Sequence, residues 1–247
     1  SSSTAMNAVA SSSTAMNAVA SSSTAMNAVA SSSTAMNAVA SSSTAMNAVA
    51  SSQIGVNTII NNSGFLNIVI SSSTAMSAIA GSSTAMSAIA GSSTAMSAIA
   101  GSSTAMSAIA GKPVAISSII KSTMACSKID SKIQSYRSTL VNSLNNASYF
   151  TKTTEISTNS NGNGTTLDRT LYTGNKIIIP TQFRDKGSGA NTITLYSSST
   201  NIQIYNTTIT QTTVSITSGV ALRGVRELHG TYFPNENEIT YDVYTAR

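Results

Sequence analysis

The chain has 247 residues, of which 9% are charged, against about 25% in an ordinary globular domain. Its net charge of +5 belongs wholly to the second half, because no Lys, Arg, Asp or Glu precedes Lys112, and the basic residues are scattered rather than clustered, which argues against nucleic acid. No apolar run reaches the roughly 18 residues of a membrane span, and a single cysteine, Cys126, excludes an intramolecular disulfide.

From the N-terminus the sequence is periodic. Residues 1–50 are five identical copies of SSSTAMNAVA; residues 71–80 read SSSTAMSAIA and residues 81–110 are three copies of GSSTAMSAIA. The block between them, SSQIGVNTIINNSGFLNIVI, looks foreign but keeps phase. Val56 and Leu66 fall at the Met position, and Ile59 and Val69 at the Val/Ile position. Downstream, Ile116, Cys126 and Tyr136 take the Met position and Ile119 and Ile129 the Val/Ile position, so the period is expected to reach about Leu140. The chain begins inside a repeat and without Met, so it is expected to be a fragment or a processed product.

The steps Met6–Val9–Ser13–Met16 are 3, 4 and 3, a helical pattern. Ala and Met favour helix, whereas Ala is poor in strands. The expectation is therefore an elongated, fibrous α-helical stalk over residues 1–110, a parallel homotrimeric coiled coil. Its seam is Met6, Val9, Met16, Val19, Val56, Leu66, Met76, Ile79, Ile116 and Ile129. As one continuous helix, 110 residues span about 165 Å. The difficulty is pitch. Ten residues in three turns is about 3.3 per turn, so a straight stripe drifts by about 80° per repeat. The alternative is a β-helical or solenoid stalk in which each decad is one rung. Identical, uncharged decads also leave register undefined, which places specificity in the unlike residues that follow.

Residues 111–150 are expected to form a helical stem. Gly111-Lys112-Pro113 suits a helix restart, and Ile129–Tyr136 has a polar face with Leu140 and Leu144 continuing the apolar stripe. Residues 151–247 read as an all-β tip, a sandwich or jelly roll. A polar loop over 151–166 is followed by strands at 176–179 (stopping at Pro180), 191–196, 201–205, 212–216, 220–228 and 239–244.

Chemistry is sparse. His229 is the only histidine, and no Cys or His cluster supports a metal or cofactor; no catalytic residue is nominated. Asp168, Asp185, Glu227, Glu236, Glu238 and Asp242 supply carboxylates, and glycan cleavage needs a pair at defined separation. Tyr232, Phe233 and Tyr205 are candidates for stacking on sugars. Arg184, Arg223 and Arg226 are candidates for an anionic partner.

An Ala/Ser/Thr-rich repetitive stalk followed by a small β tip ending GVALRGVRELHGTYF…ITYDVYTAR resembles the distal part of a bacteriophage tail fibre. The resemblance implies a homotrimeric virion fibre, extracellular, whose tip binds a bacterial surface polysaccharide or outer-surface protein. It also implies that the N-terminal side joins other virion tail proteins, with neither nucleic-acid binding nor membrane insertion. The alternatives are a tip that depolymerises glycan, and a surface- or ice-binding repeat that presents Ser and Thr on a flat β face.

Overall fold

The computed structural model describes residues 3–159, 167–186, 189–229 and 237–247. It divides into two compact units, Ser1–Ile129 and Asp130–Arg247.

In the first unit each decad is one short helix of eight or nine residues. They run α1 (Ser3–Ser11), α2 (Ser13–Ala20), α3 (Ser23–Ala30), α4 (Ser33–Ser41), α5 (Ser43–Ser51), α6 (Gln53–Asn61), α7 (Ser63–Ser71), α8 (Ser73–Gly81), α9 (Ser83–Ala90), α10 (Ser93–Gly101), α11 (Ser103–Ala110) and α12 (Pro113–Ile120). The break is always the second residue of the decad. Ser12, Ser32 and Ser72 are extended there, with φ of −97°, −129° and −97°, and their hydroxyls accept the N–H three residues on. Serine is a weak helix former and a strong N-cap, so this position ends one helix and starts the next. Asn62 does the same with its side-chain oxygen, 2.8 Å from Phe65 N. Lys112 makes no such cap; Pro113 at the first helical position removes one donor that a cap would otherwise serve. Across one break, α7 and α8 are bent by 98°.

Three such bends bring the chain back over itself. Helix α1 packs on α4, α2 on α5 and α3 on α6, and the spacing of three helices persists to α9 on α12. The buried face consists of decad positions 5, 6, 9 and 10, as in Ala45, Met46, Val49 and Ala50, all within 1% of full burial. Positions i, i+1, i+4 and i+5 form one side of a two-turn helix. The capping hydroxyl then makes a second bond. Ser42 Oγ donates to Ala10 O at 2.6 Å, Ser72 to Ala40 O at 2.7 Å, Ser82 to Ala50 O at 2.5 Å and Ser102 to Ile70 O at 2.7 Å, each 32 residues back. Ser52 reaches Ala20 O in the same way. In the divergent block the Asn62 amide donates to Ala30 O at 3.1 Å. One side chain thus satisfies a helix N-terminus on its own turn and a helix C-terminal carbonyl on the turn before.

This changes the expected stalk. The repeat is helical, but as a solenoid of short helices rather than a continuous coiled-coil strand. The helix restarts in every decad, so its phase resets and the 80° drift never accumulates. The seam residues are covered within one chain. Val56, Met76 and Ile79 are fully buried and Leu66, Ile116 and Ile129 nearly so; Met6, Val9 and Val19 are half-buried and Met16 buried. The narrow stripe that called for partner chains finds its partners three decads away. Turns stacked at the usual helix spacing of 8–10 Å make the unit about 40 Å long over four turns, not 165 Å. No flat β face forms, which removes the basis given for an ice-binding surface.

In the divergent block Phe65, at the alanine position, is fully buried. Gly55 occupies the same position one decad earlier, where a Cβ would stand 2.8 Å from Val49 O, closer than side chains tolerate. The last cap is Ser122, which accepts from Ala125 N at 3.2 Å. Helix α13 (Thr123–Ile133) runs through residue 132 without a break, because Lys132 offers no acceptor for a cap and, unlike Lys112, is not followed by Pro. The decad geometry therefore ends near Ile129, short of Leu140. The expected stem of residues 111–150 is divided between the two units.

The second unit adds a single 3-10 turn, α14 (Arg137–Leu144) and nine strands among the described residues. These are β1 (Phe150–Asn159), β2 (Leu167–Leu171), β3 (Lys176–Asp185), β4 (Ala190–Ser197), β5 (Ile202–Thr210), β6 (Thr213–Ser215), β7 (Ala221–Leu222), β8 (Val225–His229) and β9 (Asn237–Ala246). They form two antiparallel sheets, β1-β9-β3-β6 with β7 beside β3, and β2-β8-β4-β5. The core between them includes Ile178, Phe183, Ile193, Leu195, Ile239, Tyr241 and Val243. A helical segment followed by an all-β region is thus what forms.

Three strand readings change. The tract at 151–159 is strand, not loop: its β-branched threonines pair along β9 while most of its side chains face solvent. Strand β3 does not stop at Pro180. Its register against β9 shifts between Pro180 and Gln182, a bulge that accommodates the missing N–H. The run at 220–228 is split at Arg223 (φ 62°) and Gly224 (φ 135°). The polar face of residues 130–137 is not a solvated face either. Asp130, Gln134 and Arg137 share one helix side and bond β3 and the connections that follow β4 and β6. Gln134 pairs its amide with both Val220 N and Val220 O at 2.8 Å. Arg137 donates to Pro180 O at 2.9 Å and to Gly219 O and Ile216 O at 3.2 Å. Asp130, fully buried, accepts from the Ser199 and Thr200 hydroxyls.

Candidate binding surface

At one end of the sandwich the strand ends gather. Asn159 pairs opposite Asn237, which in turn pairs opposite Asp185; Leu167 lies opposite His229, and Ala190 opposite Thr210. Two buried carboxylates tie these ends together. Asp185, 4% exposed, accepts from Asn191 Nδ2 at 2.8 Å and Gln211 N at 3.0 Å, joining β3 to β4 and to the β5–β6 turn. Glu227, fully buried, accepts from Tyr241 OH at 2.6 Å, Arg169 Nε at 2.8 Å and Ser157 Oγ at 3.0 Å. Ser157 and Tyr241 belong to one sheet, Glu227 and Arg169 to the other, so this carboxylate clamps the sandwich.

Burial pushes the Glu227 carboxyl up, but its bonds with His229, Tyr241 and Arg169 outweigh this and hold it below the usual carboxylate range. Burial, with Glu227 next to it, drives the Tyr241 phenol well above its ordinary value. Tyr172, edge-on to Tyr241 at 5.7 Å, is pushed up to about 12 by burial and by Glu155 and Glu227. Both Glu227 oxygens are occupied, so this group serves as a structural clamp rather than a spare acid or base.

Charge at the same end lies outside the core. Glu238 sits between Lys186 Nζ, on one oxygen, and Arg184 Nη1, 3.7 Å from the other. Two cations thus meet at one carboxylate, on the outside of the strand ends. The Arg184 side chain is 54% exposed and can reach a ligand.

The nominated residues do not form one patch. Tyr232 and Phe233 lie outside the described residues, as does Glu236. Arg226 and Arg223 belong to the opposite end. Arg226 grips Asp168 at 2.7 and 2.5 Å, donates to Asn201 at 3.0 Å and lies 5.2 Å over the Tyr196 ring. Arg223 donates to Asn175 at 2.9 Å. Tyr205 is half-buried against the core cluster. Of the nominated receptor-binding residues that are described, Arg184 alone lies among the gathered strand ends, beside the nominated carboxylates Asp185 and Glu238. Asp242 is paired with Lys152 at 2.8 Å. His229 ends β8, 3% exposed, with Nε2 3.3 Å from Glu227. Its Nδ1 and Asn237 Oδ1 have no hydrogen-bond partner among the described residues. No group of three metal-ligating side chains occurs among the described residues.

Sequence reading missed Lys186 as a partner of Arg184, and Asp185 as the knot beneath them. Asp185-Lys186-Gly187-Ser188-Gly189 was legible only as a turn signal. The alternation around Arg184, with Phe183 and Asp185 buried on either side, was the signal available. No protein-family model matches the chain, and no match is found among curated proteins.

Proposed function

We propose that this chain is a structural and adhesive component of a bacteriophage tail fibre, in which the decad solenoid supplies length and the β sandwich binds a bacterial surface polysaccharide. The observation that carries it is the end of the sandwich where the strand ends are tied from beneath by Asp185 and Glu227 while Arg184 and Lys186 stand exposed around Glu238. A rigid frame under exposed Arg and Lys side chains suits acidic glycan. The repeat suits a spacer: most of its exposed positions are Ser, Thr and Asn, and no charge precedes Lys112. Binding through several weak contacts becomes effective when several copies act together. A homotrimer belongs to this reading but no longer needs the decad seam.

The test is retention of the purified chain on acidic and neutral surface polysaccharide from candidate hosts. Salt-sensitive retention on acidic glycan, weakened about tenfold in Arg184→Ala/Lys186→Ala, is the expected result. Released oligosaccharide would move the assignment to a depolymerase, and retention indifferent to both substitutions would refute the surface.

A further inference from the structure

The block at residues 51–70 departs from the decad in two ways. At buried positions the main exchanges are apolar for apolar, as in Val56 and Leu66 for Met, and packing accounts for them. At exposed positions packing imposes no choice, yet the sequence changes there too. Ile54 stands where the copies of SSSTAMNAVA, SSSTAMSAIA and GSSTAMSAIA have Thr; Thr58 and Ile68 stand where they have Ala, and Asn61 where they have Ser or Gly. Ile54 is 38% exposed, an unusual position for an isoleucine.

These changes line two grooves between stacked turns. One, of about 320 Å³, lies between α3 and α6 and is lined by Asn27, Ile54, Asn57, Thr58 and Asn61 among others. The second, of about 400 Å³, lies between α4 and α7 and is lined by Asn37, Ser41, Asn67, Ile68 and Ser71 among others. Both fall at the small end of the range for ligand sites, about 300–1,000 Å³. They share one plan. Each has an asparagine at decad position 7 on both stacked helices, and one isoleucine from the divergent block. The amides are largely unused. The side chains of Asn27, Asn61 and Asn67 make no hydrogen bond among the described residues. Asn57 uses only its oxygen, which accepts from Gln53 Nε2 at 2.9 Å, and Asn37 only its nitrogen, which donates to Ser33 O at 2.9 Å. No charged residue precedes Lys112, so neither groove carries charge.

An asparagine amide offers both donors and an acceptor, the complement of another amide or of paired hydroxyls. An exposed isoleucine beside it takes a methyl group or the apolar face of a ring. We propose that the two grooves bind neutral N-acetylated hexosamine units. The acetamido group meets one asparagine, its methyl lies on the isoleucine, and ring hydroxyls reach the asparagine of the next turn. An acidic sugar gains no ion pair here, which separates these grooves from the Arg184 and Lys186 cluster. The proposal goes beyond adhesion at the β sandwich and stands independently of it.

The probe is the hexamer of N-acetylglucosamine, titrated into the full chain, with maltohexaose as the neutral control that lacks the acetamide. Saturable binding is expected, with saturation-transfer NMR strongest at the acetyl methyl and maltohexaose weaker by about fivefold or more. Ile54→Thr/Thr58→Ala/Asn61→Ser/Ile68→Ala gives both grooves the decad's own residues. Affinity should fall by about tenfold or more, with helical circular dichroism unchanged, because these residues already stand in the neighbouring helices. A second variant leaves the divergent block intact. Asn27→Ser/Asn37→Ser copies the serine found at Ser77, Ser87 and Ser97 and should lower affinity on the same scale. Arg184→Ala/Lys186→Ala, in the other unit, should leave binding within about twofold. Absence of binding at millimolar hexamer, or equal binding of maltohexaose, would overturn the proposal. So would binding untouched by either groove variant, or binding lost in Arg184→Ala/Lys186→Ala.

Discussion

The two units satisfy their buried polar groups in opposite ways. The solenoid makes one bond many times: a Ser hydroxyl that caps its own helix and reaches the carbonyl 32 residues back. The sandwich makes several bonds once: Glu227 to Tyr241, Arg169 and Ser157, and Arg137 to three backbone carbonyls. A repeated bond makes positions interchangeable and stability additive along the chain. A unique network makes each member indispensable and the unit cooperative. The comparison explains why the repeat tolerates perfect monotony while the sandwich has no repeated segment.

The largest expected effect falls on the sandwich. Glu227→Gln removes the charge that Arg169 pairs with and leaves a buried network half-met, at a cost of about 3 kcal/mol. Denaturant unfolding followed by near-ultraviolet dichroism should show this loss, while the helical signal of the solenoid keeps its own midpoint. A shared midpoint shift would show that the two units are not energetically distinct.

Next comes a single staple. Ser72→Ala removes the cap on Ala75 N and the donor to Ala40 O, about 1 kcal/mol each. Ser72→Asn should restore most of it, because Asn62 already does both jobs with its amide. Ser72→Asp keeps the cap and loses the donor, so it should not. Equal behaviour of Asn and Asp would mean that the cross-turn bond contributes nothing.

A smaller effect is expected from deleting one whole decad, residues 21–30. Every later helix then meets a partner one decad removed, which presents the same face, so the cost should be about one repeat's share, of order 1 kcal/mol. Deleting five residues instead should unfold the surrounding turns, since no cap then meets its carbonyl. Thermal melts of the two deletions compare directly.

The smallest effects are on pH dependence, and they have opposite signs. Glu227 is held below its ordinary 4.5, so its contribution is present above that value and lost as pH falls through the lower folded value. Asp130 is raised above 3.8, chiefly by burial and against the pull of Ser199 and Thr200. The native state therefore binds its proton more readily, and this contribution declines as pH rises through the folded value. Asp130→Asn should flatten that decline and Glu227→Gln the acid loss, read as stability between pH 3 and 7. The same slope in both variants would refute the assignment.

The contrast also explains what the sequence disclosed. The helical nature of the decad was legible in Met6, Val9 and Met16, and the β character of the C-terminal half in its alternating strands. The Ser-Ser-Ser-Thr stretch reads as a turn only in the β-rung alternative, and the helical reading runs through it. Its second Ser is an N-cap signal, but the 3-4-3 apolar spacing across it mimics an uninterrupted helix. The cross-turn bond joins residues 32 apart, and nothing local marks such a pairing. In the sandwich, Asp130, Gln134 and Arg137 carried the period of a solvated face. Only the backbone carbonyls opposite them, at Pro180, Ile216, Gly219 and Val220, show why they are polar. Arg223 and Arg226 were named with Arg184 as candidates for an anionic partner, whereas Asp168, some sixty residues earlier, already holds Arg226.

The central claim is that one decad is one helix and that three helices make a turn within a single chain. Spin labels at Ser77 and Ser107, exposed at the same decad position, test it by pulsed electron paramagnetic resonance, with labelled chain diluted in unlabelled chain and Cys126→Ala to remove the native thiol. The solenoid places these backbones about 10 Å apart, one turn above the other, giving a label distance of about 25 Å or less. A continuous helix places them about 45 Å apart, and a distribution centred there would contradict the fold described.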